Sequence, residues 1–117
     1  MDRYFEAPGG AIVRYDPRTG DIRKVGIPLP HVYIQSTVID QERGVLYGQC
    51  FTPERFVSFD LKTHRARDLG PLGSGIQMAQ GENIVLDDRG RVWGNWGLTR
   101  AWQNSPGVDA IRLFRYD

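Results

Sequence analysis

Phe56-Val57-Ser58-Phe59-Asp60-Leu61-Lys62-Thr63-His64 opens apolar, closes on an aromatic-Asp pair and then turns. Ile12-Val13-Arg14-Tyr15-Asp16 and Leu113-Phe114-Arg115-Tyr116-Asp117 have the same form. After the first of these, Asp16-Pro17-Arg18-Thr19-Gly20 places a carboxylate where it accepts a nearby backbone N–H, a proline where φ is already set, and a glycine where φ must be positive. That is hairpin chemistry with a bulge. In the second copy His64 stands where Gly20 stood, which histidine tolerates better than a branched residue does. The aspartates therefore read as turn caps.

Asp16 and Asp60 are 44 residues apart, and Asp60 and Asp117 are 57 apart, the excess falling in one insertion. A second series interleaves with the first. Val38-Ile39-Asp40 leads through Gln41-Glu42-Arg43-Gly44 into Val45-Leu46-Tyr47-Gly48, and Val85-Leu86-Asp87 leads through Asp88-Arg89-Gly90 into Arg91-Val92-Trp93-Gly94. Gly44 and Gly90 are 46 apart, and Gly26 and Gly70 are 44 apart. A unit of about 45 residues built from short strands is the size of one four-stranded β-propeller blade.

The expected fold is all-β: a partial β-propeller of roughly ten antiparallel strands in about two and a half four-stranded blades. With strands lettered A (inner) to D (outer), B lies near Asp2–Ala7, C at Ala11–Asp16 and D at Asp21–Val25. A complete blade follows, with A at Ser36–Asp40, B at Val45–Cys50, C at Arg55–Asp60 and D at Arg65–Leu69. The last has A at Asn83–Asp87, B at Arg91–Trp96 and C at Ile111–Asp117. Residues 1–117 form a single unit, with a partial blade at 1–26, a full one at 36–69 and a partial one at 83–117.

The aromatic-Asp-x-x-Thr-Gly turn and the Asp-x-x-Gly hairpin into an aromatic-Gly strand resemble the bacterial propellers of the lactonase, antibiotic-lyase and sugar-lyase kind. The likeness covers nearly the whole chain and is one of architecture, so any activity it implies is analogy. Propellers close with about four to eight blades. A shorter array exposes two apolar blade faces and unpaired strand edges. The expected partners are accordingly further blades, from copies of the chain or from a longer parent chain.

Composition limits the rest. Fifteen Lys and Arg against fourteen Asp and Glu give a net charge of +1 with the signs interspersed, which offers no field to draw in nucleic acid. With 40% hydrophobic and 25% charged residues and no apolar run near 18 residues, no membrane span is expected. Met1–Glu6 lacks the basic and apolar regions of a signal peptide, which makes the cytoplasm the default compartment. The single cysteine, Cys50, follows a B strand and reads as a buried, inert thiol; it offers neither zinc-ligand nor redox spacing, and the cofactor is left unknown by the sequence.

In a propeller the D-to-A and B-to-C connections share one face, around the axis, where ligands bind. His31, Tyr33 and Gln35 fall in the first D-to-A link, and Gln77 and Glu82 in the second. Trp96, Arg100 and Trp102 fall in the insertion from Asn95 to Ala110. Imidazole titrates near neutral pH, so His31 is the candidate base or acid with Tyr33 as its companion; a loop histidine with satisfied hydrogen bonds is the competing reading. Gln35, Gln77, Glu82, Trp96, Arg100 and Trp102 are candidate ligand contacts, the aromatics offering flat faces to a sugar ring. Trp93 is expected to pack between blades, and His64 sits in a turn on the opposite face.

The leading expectation is a module that binds a polar small molecule or glycan on its loop face without a complete catalytic set. Two alternatives stay open. One is a lyase or hydrolase of sugars or lactones, with His31 and Tyr33 completed by other blades or copies. The other is a protein-interaction scaffold anchored by Trp96 and Trp102.

Overall fold

A computed structural model describes residues 7–51, 55–72, 84–97 and 111–117. Among the described residues there is no helix, and nine antiparallel strands form three sheets. Sheet 1 is β1 (Ile12–Asp16) with β2 (Asp21–Gly26). Sheet 2 runs in the order β3 (Tyr33–Asp40), β4 (Val45–Phe51), β5 (Arg55–Asp60), β6 (Ala66–Gly70). Sheet 3 is β7 (Val85–Leu86), β8 (Val92–Gly97) and β9 (Ile111–Tyr116).

Local turn chemistry sets the strand ends. Gly20 N donates to Asp16 O, Gly44 N to Asp40 O and His64 N to Asp60 O, each at 2.8 Å. The residues closing these loops have φ of 73°, 67° and 58°, so His64 takes the left-handed backbone that its position in the turn implied. The imidazole also stacks on Phe59, 6.0 Å between centroids, which helps hold that conformation. Each cap aspartate accepts backbone N–H groups: Arg18 for Asp16, Arg43 for Asp40, Lys62 and Thr63 for Asp60, and Arg89 and Arg91 for Asp87.

Sheets 1 and 2 carry the same irregularity at the same offset. Ile12 pairs with Gly26 and Val13 with Lys24, skipping Val25; Phe56 pairs with Gly70 and Val57 with Asp68, skipping Leu69. A bulge of this kind increases the local twist and bends the strand.

The three sheets stack on one another in chain order. Ile12 of sheet 1 is buried with Leu46 and Phe59 of sheet 2, joined by Val25 and Leu61. On its other side sheet 2 presents Phe56, Val38 and Tyr47 to Val92, Phe114 and Tyr116 of sheet 3. Phe56 meets Phe114 and Tyr116 edge-on, at 5.5 and 5.4 Å between centroids, and lies stacked on Tyr47 at 6.0 Å. β3 and β7, the first strands of their sheets, lie side by side, and Ile84 N donates to Ser36 Oγ at 3.1 Å. Arg43, held by Asp40, lays its guanidinium over Gly90 of the next sheet's turn, where any side chain would collide with it. The outermost faces are uncovered: Val13, Tyr15 and Ile22 are exposed on sheet 1, and Val85 and Leu113 on sheet 3.

Some boundaries differ from those expected. The strand predicted from Ser36 begins at Tyr33, because Ile34 and Tyr33 pair with Cys50 and Phe51 across a register shift that leaves Gln35 as the extra residue. Of the strand predicted over Asn83–Asp87, Asn83 lies outside the described residues, and among the rest only Val85 and Leu86 pair. Of the strand predicted near Asp2–Ala7, residues 2–6 lie outside the described residues and Ala7 is in no strand; Pro8, with no N–H to give, follows it directly. Trp93 does not lie between sheets 2 and 3. Alternation puts its neighbour Val92 on the sheet 2 side and turns Trp93 to the outer face, where its indole N–H donates to Asp87 at 2.8 Å and Arg91 and Arg115 flank the ring.

Candidate functional site

β3 starts at Tyr33 and β4 ends at Phe51, at one shared end of sheet 2, next to the described loop residues 27–32. His31 and Gln35 both belong to this end. His31 is exposed with φ of 60°. Its backbone N donates to Pro8 O at 3.2 Å, Gly10 N donates to Val32 O at 2.8 Å, and the ring Nδ1 lies 2.8 Å from Ala7 O. A carbonyl can only accept, so Nδ1 donates in this bond. The segment 7–10 thus fixes the orientation of the imidazole, which also explains the residue as a clasp between two stretches of loop.

Tyr33 and Gln35 are not in a loop as expected but inside β3, half-buried. The bulge sets Gln35 next to Ser36, opposite Gln49 on β4. A bulge of this kind leaves the extra residue out of the ladder and bends the strand. Ser36 and Gln49 both turn toward sheet 3, where Gln49 Nε2 donates to Asn95 O at 3.0 Å. Gln49 is completely buried. The amide oxygens Oε1 of Gln35 and of Gln49 are both shut away from solvent without a donor. Buried acceptors in folded proteins nearly always have a partner, and leaving one unmet costs about 1–3 kcal/mol. The two belong to neighbouring strands, β3 and β4, and mark the seam between them.

Beside this seam, Arg55 is neutralised by Asp68, with Nε to Oδ1 at 2.9 Å and Nη2 to Oδ2 at 2.7 Å. The guanidinium holds the Asp68 carboxyl below the usual range. Cys50, at the end of β4, is buried with Val32 and Val57, and burial pushes its thiol up to about 12. At neutral pH it is a protonated, unreactive thiol, as expected for a packing cysteine.

Of the remaining candidates, Gln77, Glu82, Arg100 and Trp102 lie outside the described residues; Trp96 falls on β8, paired with Arg112. The structure brings Tyr33, Gln35 and His31 to one end. Gln49, which the sequence assigns to the B-to-C link of the same face, lies instead within β4, and its amide crosses to the next sheet. A hydrophilic residue in the otherwise apolar run Val45–Phe51 was the available signal.

The sequence did not indicate a concavity away from these residues. A cleft of about 540 Å³ lies at the opposite end, between sheets 2 and 3, lined among others by Tyr47, Ser58, Asp60, Arg65, Arg67 and Tyr116. Burial raises the Tyr47 phenol above its ordinary value, with Tyr116 adding to the shift. β9 is the edge strand of sheet 3 among the described residues, so the outer part of sheet 2 faces no strand there.

Among the described residues no three His, Cys, Asp or Glu side chains are grouped to hold a metal ion, and no helix is long and apolar enough to cross a membrane. Compared with protein-family models, curated proteins and solved structures, the chain finds no match.

Proposed function

We propose that the chain is a partial β-propeller module that binds a hydroxyl-rich small molecule or glycan at the end carrying His31, Gln35 and Gln49. Support for the blade reading comes from three antiparallel sheets stacked in chain order, the same bulge in sheets 1 and 2, and the left-handed turns at Gly20 and His64. Hydrogen bonds from Gln49 to Asn95 and from Ile84 to Ser36 join positions about one unit apart, and the adjacency of β3 and β7 fits inner strands gathered round an axis.

The observation that carries the binding reading is the pair of buried amide oxygens without donors. Sugar hydroxyls supply O–H donors, and because both oxygens are covered in the unliganded chain, a hydroxyl reaches them only where the groups over them give way. Arg55 is neutralised by Asp68 at this end, which leaves the seam suited to a neutral polyol.

A glycan array followed by calorimetric titration of the best hits tests this. Saturable binding is expected for the unmodified chain, weakened about tenfold by Gln35→Leu, which removes one acceptor. No binding to any polyhydroxylated ligand at millimolar concentration overturns the reading.

A further inference from the structure

We infer that the two outer faces of the stack are complementary to each other, so that the Leu113 face of one copy covers the Tyr15 face of a second copy, and two copies close head to tail. This rests on the reading of the three sheets as successive blades. The chain itself contains two examples of the required interface.

Equivalent positions in the three sheets are core or surface according to whether another sheet follows. Phe56 of sheet 2 is 2% exposed beneath sheet 3, and its counterpart Ile12 is buried beneath sheet 2, yet their counterpart Leu113 is 78% exposed. The same holds in the other direction. Phe59 is 1% exposed beneath sheet 1 and Tyr116 packs against sheet 2, whereas their counterpart Tyr15 is 60% exposed.

In both internal interfaces a side chain at the Leu113 position meets one at the Tyr15 position. Ile12 clusters with Phe59, and Phe56 meets Tyr116 at 5.4 Å. Flanking residues follow suit. Val38 and Tyr47 share the covered face with Phe56, and their counterparts Val85 and Trp93 share the outer face with Leu113. Phe114, which meets Phe56 at 5.5 Å, corresponds to Val13, which is exposed beside Tyr15. One end of the molecule therefore presents the surface that the other end is built to receive.

A contact between two different patches generates rings or filaments. Two copies bring six sheets together, within the roughly four to eight of a closed propeller, and three copies would bring nine. Closure with two copies leaves neither apolar face in water.

Sedimentation of the 117-residue chain over a range of concentrations is the test. The unmodified chain is expected at twice the chain mass. Leu113→Asp and Tyr15→Asp are each expected at the single-chain mass with unchanged far-ultraviolet circular dichroism, since both positions are on the surface. Mixing the two variants restores a two-copy species, because one intact Leu113 face still meets one intact Tyr15 face. Val85→Lys and Ile22→Lys provide the same pair of tests at independent positions.

An unmodified chain that stays single at the highest concentration overturns the inference. So does a pair abolished by only one of the two substitutions, which would mean a face packing on itself, and so does a mass above two copies. Amide hydrogen exchange separates this from the underlying reading: a single chain with slow exchange across β3–β6 overturns the pairing and leaves the stacked blades standing. Loss of that slow exchange in the unmodified chain overturns both.

Discussion

Gln49 Nε2 donates to the backbone carbonyl of Asn95 at 3.0 Å, tying two positions 46 residues apart across the boundary between sheets 2 and 3. Gln49 is completely buried, so the bond helps hold the sheets in one relative setting, and the Gln49 oxygen remains unmet.

Truncating that residue is expected to hurt more than replacing it by an apolar residue of similar length. Gln49→Ala loses the bond, strands the Asn95 carbonyl and opens a void, for about 2–4 kcal/mol. Gln49→Met fills the space and also removes the unmet oxygen, so the loss should be about 1 kcal/mol. Urea midpoints at constant slope measure both, and equal losses would mean that the hydrogen bond, rather than the volume, carries the effect.

Two glycines should respond to alanine for different reasons. At Gly20, φ is 73° and a Cβ would meet nothing within 4 Å, so Gly20→Ala pays only the left-handed backbone, about 1–2 kcal/mol, and Gly20→Asn less. At Gly94 a Cβ would run into the Phe114 ring and Ile84. Gly94→Ala therefore overpacks the junction of sheets 2 and 3, with an expected loss of about 2–3 kcal/mol. Thermal unfolding of the two variants compares them directly, Gly94→Ala being expected to melt at the lower temperature.

Cys50 should resist iodoacetamide in the folded chain at pH 8.5 and react promptly once urea is added. Burial raises its thiol from 9.0 in the open chain to about 12, so the folded state favours the neutral form. The stabilisation linked to this is fully present below pH 9 and is lost as pH rises from there toward 12. Fast alkylation under native conditions would place Cys50 at the surface.

Acid should unfold the chain from its turns. Trp93 and Arg91 hold the Asp87 carboxyl well below the ordinary range, Arg43 lowers Asp40, and the backbone N–H groups of Thr63 and Lys62 lower Asp60. Folded values below the unfolded ones mean stability that is present above about pH 4 and lost as pH falls through the native values. Urea midpoints should hold steady from pH 7 to pH 5 and drop below pH 4, and Asp87→Asn should flatten the drop. A midpoint that rises on acidification contradicts this.

Strand positions were legible because hairpins are local. Asp16 to Gly20 and Asp60 to His64 contain every group that their turns need, so the spacing of cap, Thr and left-handed residue located β1, β2, β5 and β6 within a residue or so. The bulge at Gln35 was not legible, since it depends on how β3 registers against β4, and it moved Tyr33 and Gln35 from a loop into a strand. The candidate site was legible in part. His31 stood out by its chemistry, whereas the clasp to Ala7, the burial of Gln49 and the cleft beside Tyr116 depend on segments far apart in the chain.

From its residue pattern alone the chain determines an all-β architecture and the approximate limits of most strands. Which face of each sheet is covered was decided only in three dimensions. Ile12, Phe56 and Leu113 are interchangeable in sequence terms, yet the first two are core and the third is surface. Alternation assigns a side chain to one face of a strand, but burial depends on whether a second sheet arrives to exclude water from that face.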